Sequence, residues 1–313
     1  NIVYVDATQG WIPLNDDDVT DAPVAPVTQK AIFAYGYTTG NVSMSNLVNS
    51  SGVVASDVTG VGTARSALGA ASYGTDKAIF AYGYTSGYVS MSNLVNSSGV
   101  IASDVTGVGT ARYYSSATTY GTDKAIFAYG YTGSNVSLSN LVSNSGVIAS
   151  DVTGVGTARR NFGAAGYGTD KAIFAYGYAG SDVSMSNLVS SSGVVATDVT
   201  GVGTARSALA AAEYGLGLAI FAYGHDGSSA VSVSNLVSNV GVIASDVSGV
   251  GTARYDISAT RFGGDKAIFG FGTTGSVTGV TNLVNSSGVV AADVSGVGTA
   301  RRLLAAAGYS TSA

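Results

Sequence analysis

The sequence predicts an all-β chain, folded as six four-stranded antiparallel sheets that stand as blades around a closed ring, a six-bladed β-propeller. Three observations predict it. One block recurs six times: Ala-Ile-Phe begins at Ala31, Ala78, Ala125, Ala172, Ala219 and Ala267, at spacings of 47, 47, 47, 47 and 48 residues. Each block contains four short strand-like runs separated by turn signals and no helical apolar period with caps. The last residues of the chain supply a strand that the first block lacks.

In chain order, residues 1–29 come first. They hold all three prolines (Pro13, Pro23 and Pro26) and the only tryptophan, Trp11, and read as an extended N-terminal arm or linker. The repeats fill 30–313, with units starting near 30, 77, 124, 171, 218 and 266. Unit two shows the pattern. Ser66 to Tyr73 (SALGAASY) is small and apolar, which suits the crowded lining of a central channel. After the turn Gly74-Thr75-Asp76, Lys77 to Tyr84 (KAIFAYGY) is apolar on both faces, as a strand buried on both sides must be. Past the tip Thr85-Ser86-Gly87, Tyr88 to Val95 (YVSMSNLV) begins with apolar/Ser alternation, as in a strand with unequal faces. The turn Asn96 to Gly99 leads into a fourth strand at Val100 to Val105. Val24 to Gln29 does not resemble SALGAASY, whereas 302–309 (RLLAAAGY) does. The C-terminal strand is therefore expected to complete the first blade and close the ring without an open edge.

Composition excludes several classes. The 313 residues carry a net charge of −5, with Lys and Arg spread around the repeat, so no nucleic-acid surface is expected. No apolar run approaches the ~18 residues of a membrane helix, so no membrane insertion is expected, and no signal peptide is visible. Zero cysteines exclude disulfides and cysteine metal sites. Acid–base catalysis usually needs two placed carboxylates or a histidine. There is one histidine, His225, on a tip beside Asp226, and one glutamate, Glu213, an isolated departure from the repeat. The inventory predicts no enzyme, no cofactor and no metal. Asp16-Asp17-Asp18 reads as an exposed acidic linker, and Gly107-Val108-Gly109, present in every unit and not followed by a helix, as a loop.

Gly-Thr-Ala-Arg places an arginine at Arg65, Arg112, Arg159, Arg206, Arg254 and Arg301. An aspartate stands eight residues before each, at Asp57, Asp104, Asp151, Asp198, Asp246 and Asp293. Six copies point to structure, a salt bridge or loop-capping hydrogen bonds that fix the link between blades. A specific function is expected where units differ, at the tip between strands two and three and just after the repeated arginine. In an up-and-down blade both zones fall on one face of the disc. That face is the predicted recognition surface, with Tyr88, Tyr113, Tyr114, Phe162, His225 and Tyr255 as binding candidates. Neutral drift among exposed loop residues is the alternative.

The order of Arg65, the strand Ala78-Ile79-Phe80-Ala81-Tyr82-Gly83 and the tip Thr85-Ser86-Gly87 resembles the kelch repeat. It departs from that pattern in having a single Gly83 for a double glycine and no tryptophan near the end of the fourth strand. The kelch-like fold includes copper oxidases. Their site needs histidine ligands and a cysteine-modified tyrosine, so the resemblance implies fold and not that activity here. A second resemblance, of 3–13 (VYVDATQGWIP) and of DKAIF with GVGTAR, is to structural proteins of marine bacteriophages. It implies a non-catalytic virion surface or tail-fibre component, on the virion or extracellular. The implied partners are other virion proteins, reached through the arm, and a host-surface glycan or protein. A secreted or cell-surface lectin-like glycan-binding propeller is the alternative.

Overall fold

A computed structural model describes residues 2–6, 10–13 and 28–312. Strands β1 (Ile2–Asp6) and β2 (Gly10–Pro13) form an antiparallel hairpin with Tyr4 opposite Trp11. Asp16 to Asp18, Pro23 and Pro26 lie outside the described residues.

All remaining strands belong to six three-stranded antiparallel sheets in a propeller-like arrangement. The first joins β3 (Lys30–Ala34) and β4 (Ser45–Val48) to the last strand of the chain, β20 (Ala305–Tyr309), with Ala307 opposite Ile32. The second is β5 (Gly69–Tyr73), β6 (Lys77–Ala81) and β7 (Ser92–Val95), and the third β8 (Ser116–Tyr120), β9 (Lys124–Tyr131) and β10 (Asn135–Val142). The fourth is β11 (Gly163–Tyr167), β12 (Lys171–Ala175) and β13 (Ser186–Val189). The fifth is β14 (Ala210–Tyr214), β15 (Leu218–Ala222) and β16 (Ser234–Val237). The sixth is β17 (Ser258–Phe262), β18 (Lys266–Gly270) and β19 (Thr281–Val284). The inner strands touch in the order β5, β8, β11, β14, β17, β20, and β20 touches β5 again.

The four-stranded blade is corrected to three strands. The expected fourth strand pairs at two points only: in unit one, Val54 faces Val48 and Val58 faces Ser45. Four chain steps on one side oppose three on the other, so one extra residue is inserted, a bulge that breaks the ladder. It turns Asp57 out of the sheet, toward the neighbouring unit. The long second strand is also shorter than expected in five units. Past Ala81 the backbone of Tyr82, at φ 64°, and Gly83, at φ 113°, is left-handed, as it is at Tyr129 and Gly130 within the longer β9.

The middle strand carries the core. Successive side chains point to opposite faces, so Phe80 packs with Ile32 and Tyr35 of the preceding sheet and Ile79 with Phe127 of the following one. Phe33 joins Phe262, Ile268 and Phe271 in the same way, so the last and first sheets share a core as the others do. Each such Ile or Phe is fully buried, worth about 1.5–3 kcal/mol.

Candidate functional site

Just before each inner strand lies one residue in left-handed conformation: Ala67, Tyr114, Asn161, Ala208, Asp256 and Leu303, with φ of 53–56°. Such a φ costs a non-glycine residue roughly 1–2 kcal/mol. Here it turns each backbone amide toward its neighbour. Tyr114 N–H donates to Ala67 O at 2.8 Å, Asn161 to Tyr114 at 3.3 Å, Ala208 to Asn161 at 2.8 Å, Asp256 to Ala208 at 2.9 Å, Leu303 to Asp256 at 3.0 Å, and Ala67 to Leu303 at 2.8 Å. These six bonds form a cycle around one end of the central channel. A second cyclic set joins the hairpin turns at the other end, from Gly74 N–H to Asp123 O through to Ser310 N–H to Asp76 O.

Backbone fixes the rim, so its side chains are free to differ, and they do. A cavity of about 110 Å³ opens there, lined among others by Tyr114, Ser115, Asn161 and Asp256. Asp256 Oδ2 accepts from Arg302 Nη1 at 3.2 Å. Burial pushes the Asp256 carboxyl up to about 6, against the pull of Arg302. Burial, and then the Asp256 charge, raises the Tyr114 phenol to about 12, so it stays a neutral donor. The Ser115 hydroxyl is buried without a protein partner. Deeper in the channel, at a position that is Ser72, Thr119, Gly166 and Gly308 in other units, Glu213 and Arg261 form an ion pair at 2.9 Å.

Beside the mouth lies an aromatic shelf. Tyr113 packs on Tyr114 at 4.2 Å between centroids, stacks with Tyr88 at 5.2 Å and 10°, and meets Tyr84 and Tyr131 at 5.5 and 5.6 Å. The guanidinium of Arg160 covers Tyr131 and Tyr178 at 4.6 and 4.9 Å. Of the sequence candidates, Tyr88, Tyr113 and Tyr114 come together in this cluster. Tyr255 and His225 contact each other edge to face at 5.2 Å. Phe162 is only 4% exposed and packs against Tyr129 and Phe174, so it is a core residue whose edge reaches the cavity.

The repeated arginines and aspartates pair differently from their sequence spacing. Arg65 is fully buried, lies over the Tyr35 ring at 4.3 Å, and donates to Tyr82 O, Thr63 O and Asn93 Oδ1. Its carboxylate neighbour is Asp104 of the next unit, at 3.9 Å, not Asp57 eight residues before it. Asp57 instead accepts from Thr299 of the last unit and from Asn46. Arg112 faces Asp151 and Arg159 faces Asp198 likewise. Asp198, Asp246 and Asp293 accept from Thr157, Thr204 and Thr252, the residues that lead to Arg159, Arg206 and Arg254, and Arg301 donates back to Tyr35 O. Each set therefore ties two units together.

Reading residues singly missed Asp256 with Arg302 and Glu213 with Arg261. The signal available was the pair: opposite charges that depart from the repeat in adjoining units, at equivalent positions for Glu213 and Arg261 and one position apart for Asp256 and Arg302.

No protein-family model and no curated protein matches the chain. Among solved structures that match is "Novel fungal alcohol oxidase with catalytic diversity among the AA5 family, in complex with copper". It is 12% identical with a TM-score of 0.53, over 89% of this chain and 65% of that one, and the likeness is one of fold. The chain thus spans slightly less than two thirds of that protein's length. The expected role, a non-catalytic virion or lectin-like binding propeller, is corrected here: the similar solved structure is an alcohol oxidase and neither a fibre nor a lectin, and at 12% identity it carries the fold alone. The residues present do not fit copper. His225 is the sole histidine, cysteine is absent, and among the described residues no three His, Cys, Asp or Glu side chains gather as ligands.

Proposed function

We propose that this chain binds a small polar molecule in the mouth of its channel, with Asp256 as the titrating group and the Tyr113 shelf as the support for a planar or apolar portion of the ligand. One observation carries the reading. In a chain of near-identical repeats, six equivalent rim positions hold Ala, Tyr, Asn, Ala, Asp and Leu around a single opening, and the aspartate is buried. A concave site with a few convergent polar groups and a perturbed carboxyl is the usual form of a small-molecule site. A carboxyl that titrates near 6 is suited to take a proton from a bound hydroxyl or amine. That is proton chemistry, and it needs no copper. We also read the six sheets as the blades of a closed, kelch-like propeller, supported by the cyclic hydrogen bonds at both ends and by β20 completing the first sheet.

The test is ligand-observed NMR with the full chain against small alcohols, amines, amino acids and aromatic acids. Alcohols are included because the similar fold belongs to an alcohol oxidase. The expected result is a class of compounds competing for one site, with affinity lost in Asp256→Asn and reduced in Tyr113→Ala. Binding that is the same in wild type and Asp256→Asn, or no binding by any class, overturns the reading.

A further inference from the structure

The tip of each unit docks on the next unit at an equivalent spot, and the occupants can be compared. In unit one, Asn41 Nδ2 donates to the carbonyls of Tyr84 at 3.1 Å and Thr85 at 2.8 Å. In unit three, Asn135 Nδ2 donates to Tyr178 O at 3.1 Å, and its Oδ1 accepts from Arg160 Nη1 at 3.2 Å. Both seams meet carbonyl oxygens with N–H donors, and the third adds a cation.

Unit four lacks both provisions. The tip residue is Asp182, whose backbone pairs with Tyr178 as that of Asn41 pairs with Tyr37. The place of Arg160 is taken by Ser207, which pairs with His225 as Arg160 pairs with Tyr178. By the same register, the facing carbonyls are those of His225 and Asp226. Asp182 brings a negative charge and no donor. Its Oδ1 is shielded from water and has no hydrogen-bond partner. Its Oδ2 lies 3.3 Å from the point a Cβ on Gly227 would occupy, which places the carboxylate against the tip of unit five. The other groups of that tip add no positive charge to the seam. Asp226 Oδ1 accepts from the amides of Ser228 and Ser229, and His225 Nδ1 accepts from Gly227 N–H. The Asp182 carboxylate thus lacks the amide donor of the first and third seams and the cation of the third, and an outside cation would answer the unpartnered oxygen.

We propose that this seam binds a hard divalent cation, Ca²⁺, through the Asp182 carboxylate and the backbone carbonyls of His225 and Asp226, with water completing the shell. An all-oxygen donor set selects Ca²⁺ over softer metals. A single carboxylate sets the affinity in the weak class, roughly 10⁻⁴–10⁻³ M. This site is separate from the channel mouth and stands or falls independently of it.

The test uses the full chain, stripped with chelator and titrated with CaCl₂ by calorimetry, alongside thermal unfolding with and without calcium. Wild type is expected to bind one ion in this range and to unfold at a higher temperature with calcium. Asp182→Asn restores the amide of Asn41; it is expected to lose this binding and, without calcium, to unfold above wild type. Ser207→Arg supplies the guanidinium of Arg160 and is expected to weaken binding at least tenfold, which keeps the site testable should Asp182→Asn fold poorly. A wild type that shows neither heat nor a thermal shift overturns the proposal. So does undiminished affinity in Asp182→Asn or in Ser207→Arg, which puts the ion elsewhere in the chain.

Discussion

Replacing Asp57 by alanine asks whether the seam between the last and first units is as strong as a seam within the chain. Asp57 Oδ2 accepts from Thr299 N at 3.0 Å and from Thr299 Oγ1 at 2.6 Å, and Oδ1 accepts from Asn46 Nδ2 at 2.9 Å. Asp151, inside the chain, accepts from Thr110 N at 3.0 Å, Thr110 Oγ1 at 2.5 Å and Asn140 Nδ2 at 2.9 Å. Hydrogen bonds to a charged group contribute about 1.5–3 kcal/mol each. The donors released by truncation at this exposed site can partly hydrate, so the combined loss is about 2–4 kcal/mol for either variant. Urea unfolding at pH 7 measures it. The expected result is equal losses for Asp57→Ala and Asp151→Ala, with unchanged slopes. A loss for Asp57→Ala below half that for Asp151→Ala refutes the equivalence, and with it the reading of a ring closed by its last strand. Acid adds a second readout. Burial alone would raise Asp57, but the bonds from Thr299 and Asn46 outweigh it and hold the carboxyl below its usual value. The folded pKa is thus depressed. The contribution is present above the unfolded value near 3.9 and is lost as pH falls through the folded one. Each Asp→Ala variant should therefore make the acid transition less steep.

Other predictions concern single features. Asp256 has a raised folded pKa, so its contribution is fully present below the unfolded value and is lost as pH rises from about 4 through about 6. Asp256→Asn should be more stable than wild type at pH 7.5 by about 1–3 kcal/mol in urea unfolding, with no gain at pH 4. Gly99 has φ +80°, and a Cβ there would lie 2.8 Å from the Tyr309 ring, so Gly99→Ala should cost about 2–4 kcal/mol by denaturation. Arg206 donates to Tyr223 O, Thr204 O and Asn235 Oδ1 and lies over Tyr176 at 4.1 Å. Arg206→Met should cost about 3–5 kcal/mol by the same measurement, because buried acceptors lose their donor. Removal of residues 302–313 takes away β20 and should abolish cooperative thermal unfolding seen by circular dichroism.

The repeat made the main elements legible. Continuous apolar runs such as KAIFA became strands buried on both faces, and RLLAAAGY supplied the strand missing from the first unit. What the sequence concealed has physical causes. Tyr82 and its equivalents look like strand residues, yet their backbone is left-handed, a conformation uncommon for a bulky side chain and not marked by the apolar pattern. The bulge before Asp57 presents its carboxylate to Thr299, more than two hundred residues away, a partner that no local pattern names. Asp57 and Arg65 stand close in sequence but serve opposite seams, because a unit of sequence and a unit of packing are offset around the circle. Of the binding candidates, the tyrosines of the shelf stood out as departures from the repeat. Asp256 was visible by the same criterion, but its burial and its partner Arg302 depend on the fold.

The rim of the channel separates two tasks that most proteins assign to the same residues. Amides and carbonyls hold the opening, and the six side chains mounted on them hold nothing else in common: alanine, tyrosine, asparagine, aspartate and leucine are accepted on the same left-handed backbone. The positions therefore act as interchangeable sockets. Substitutions among them should alter what the opening accepts while leaving the frame intact, so a library randomised at 67, 114, 161, 208, 256 and 303 would sample new ligand preferences on one unchanging architecture.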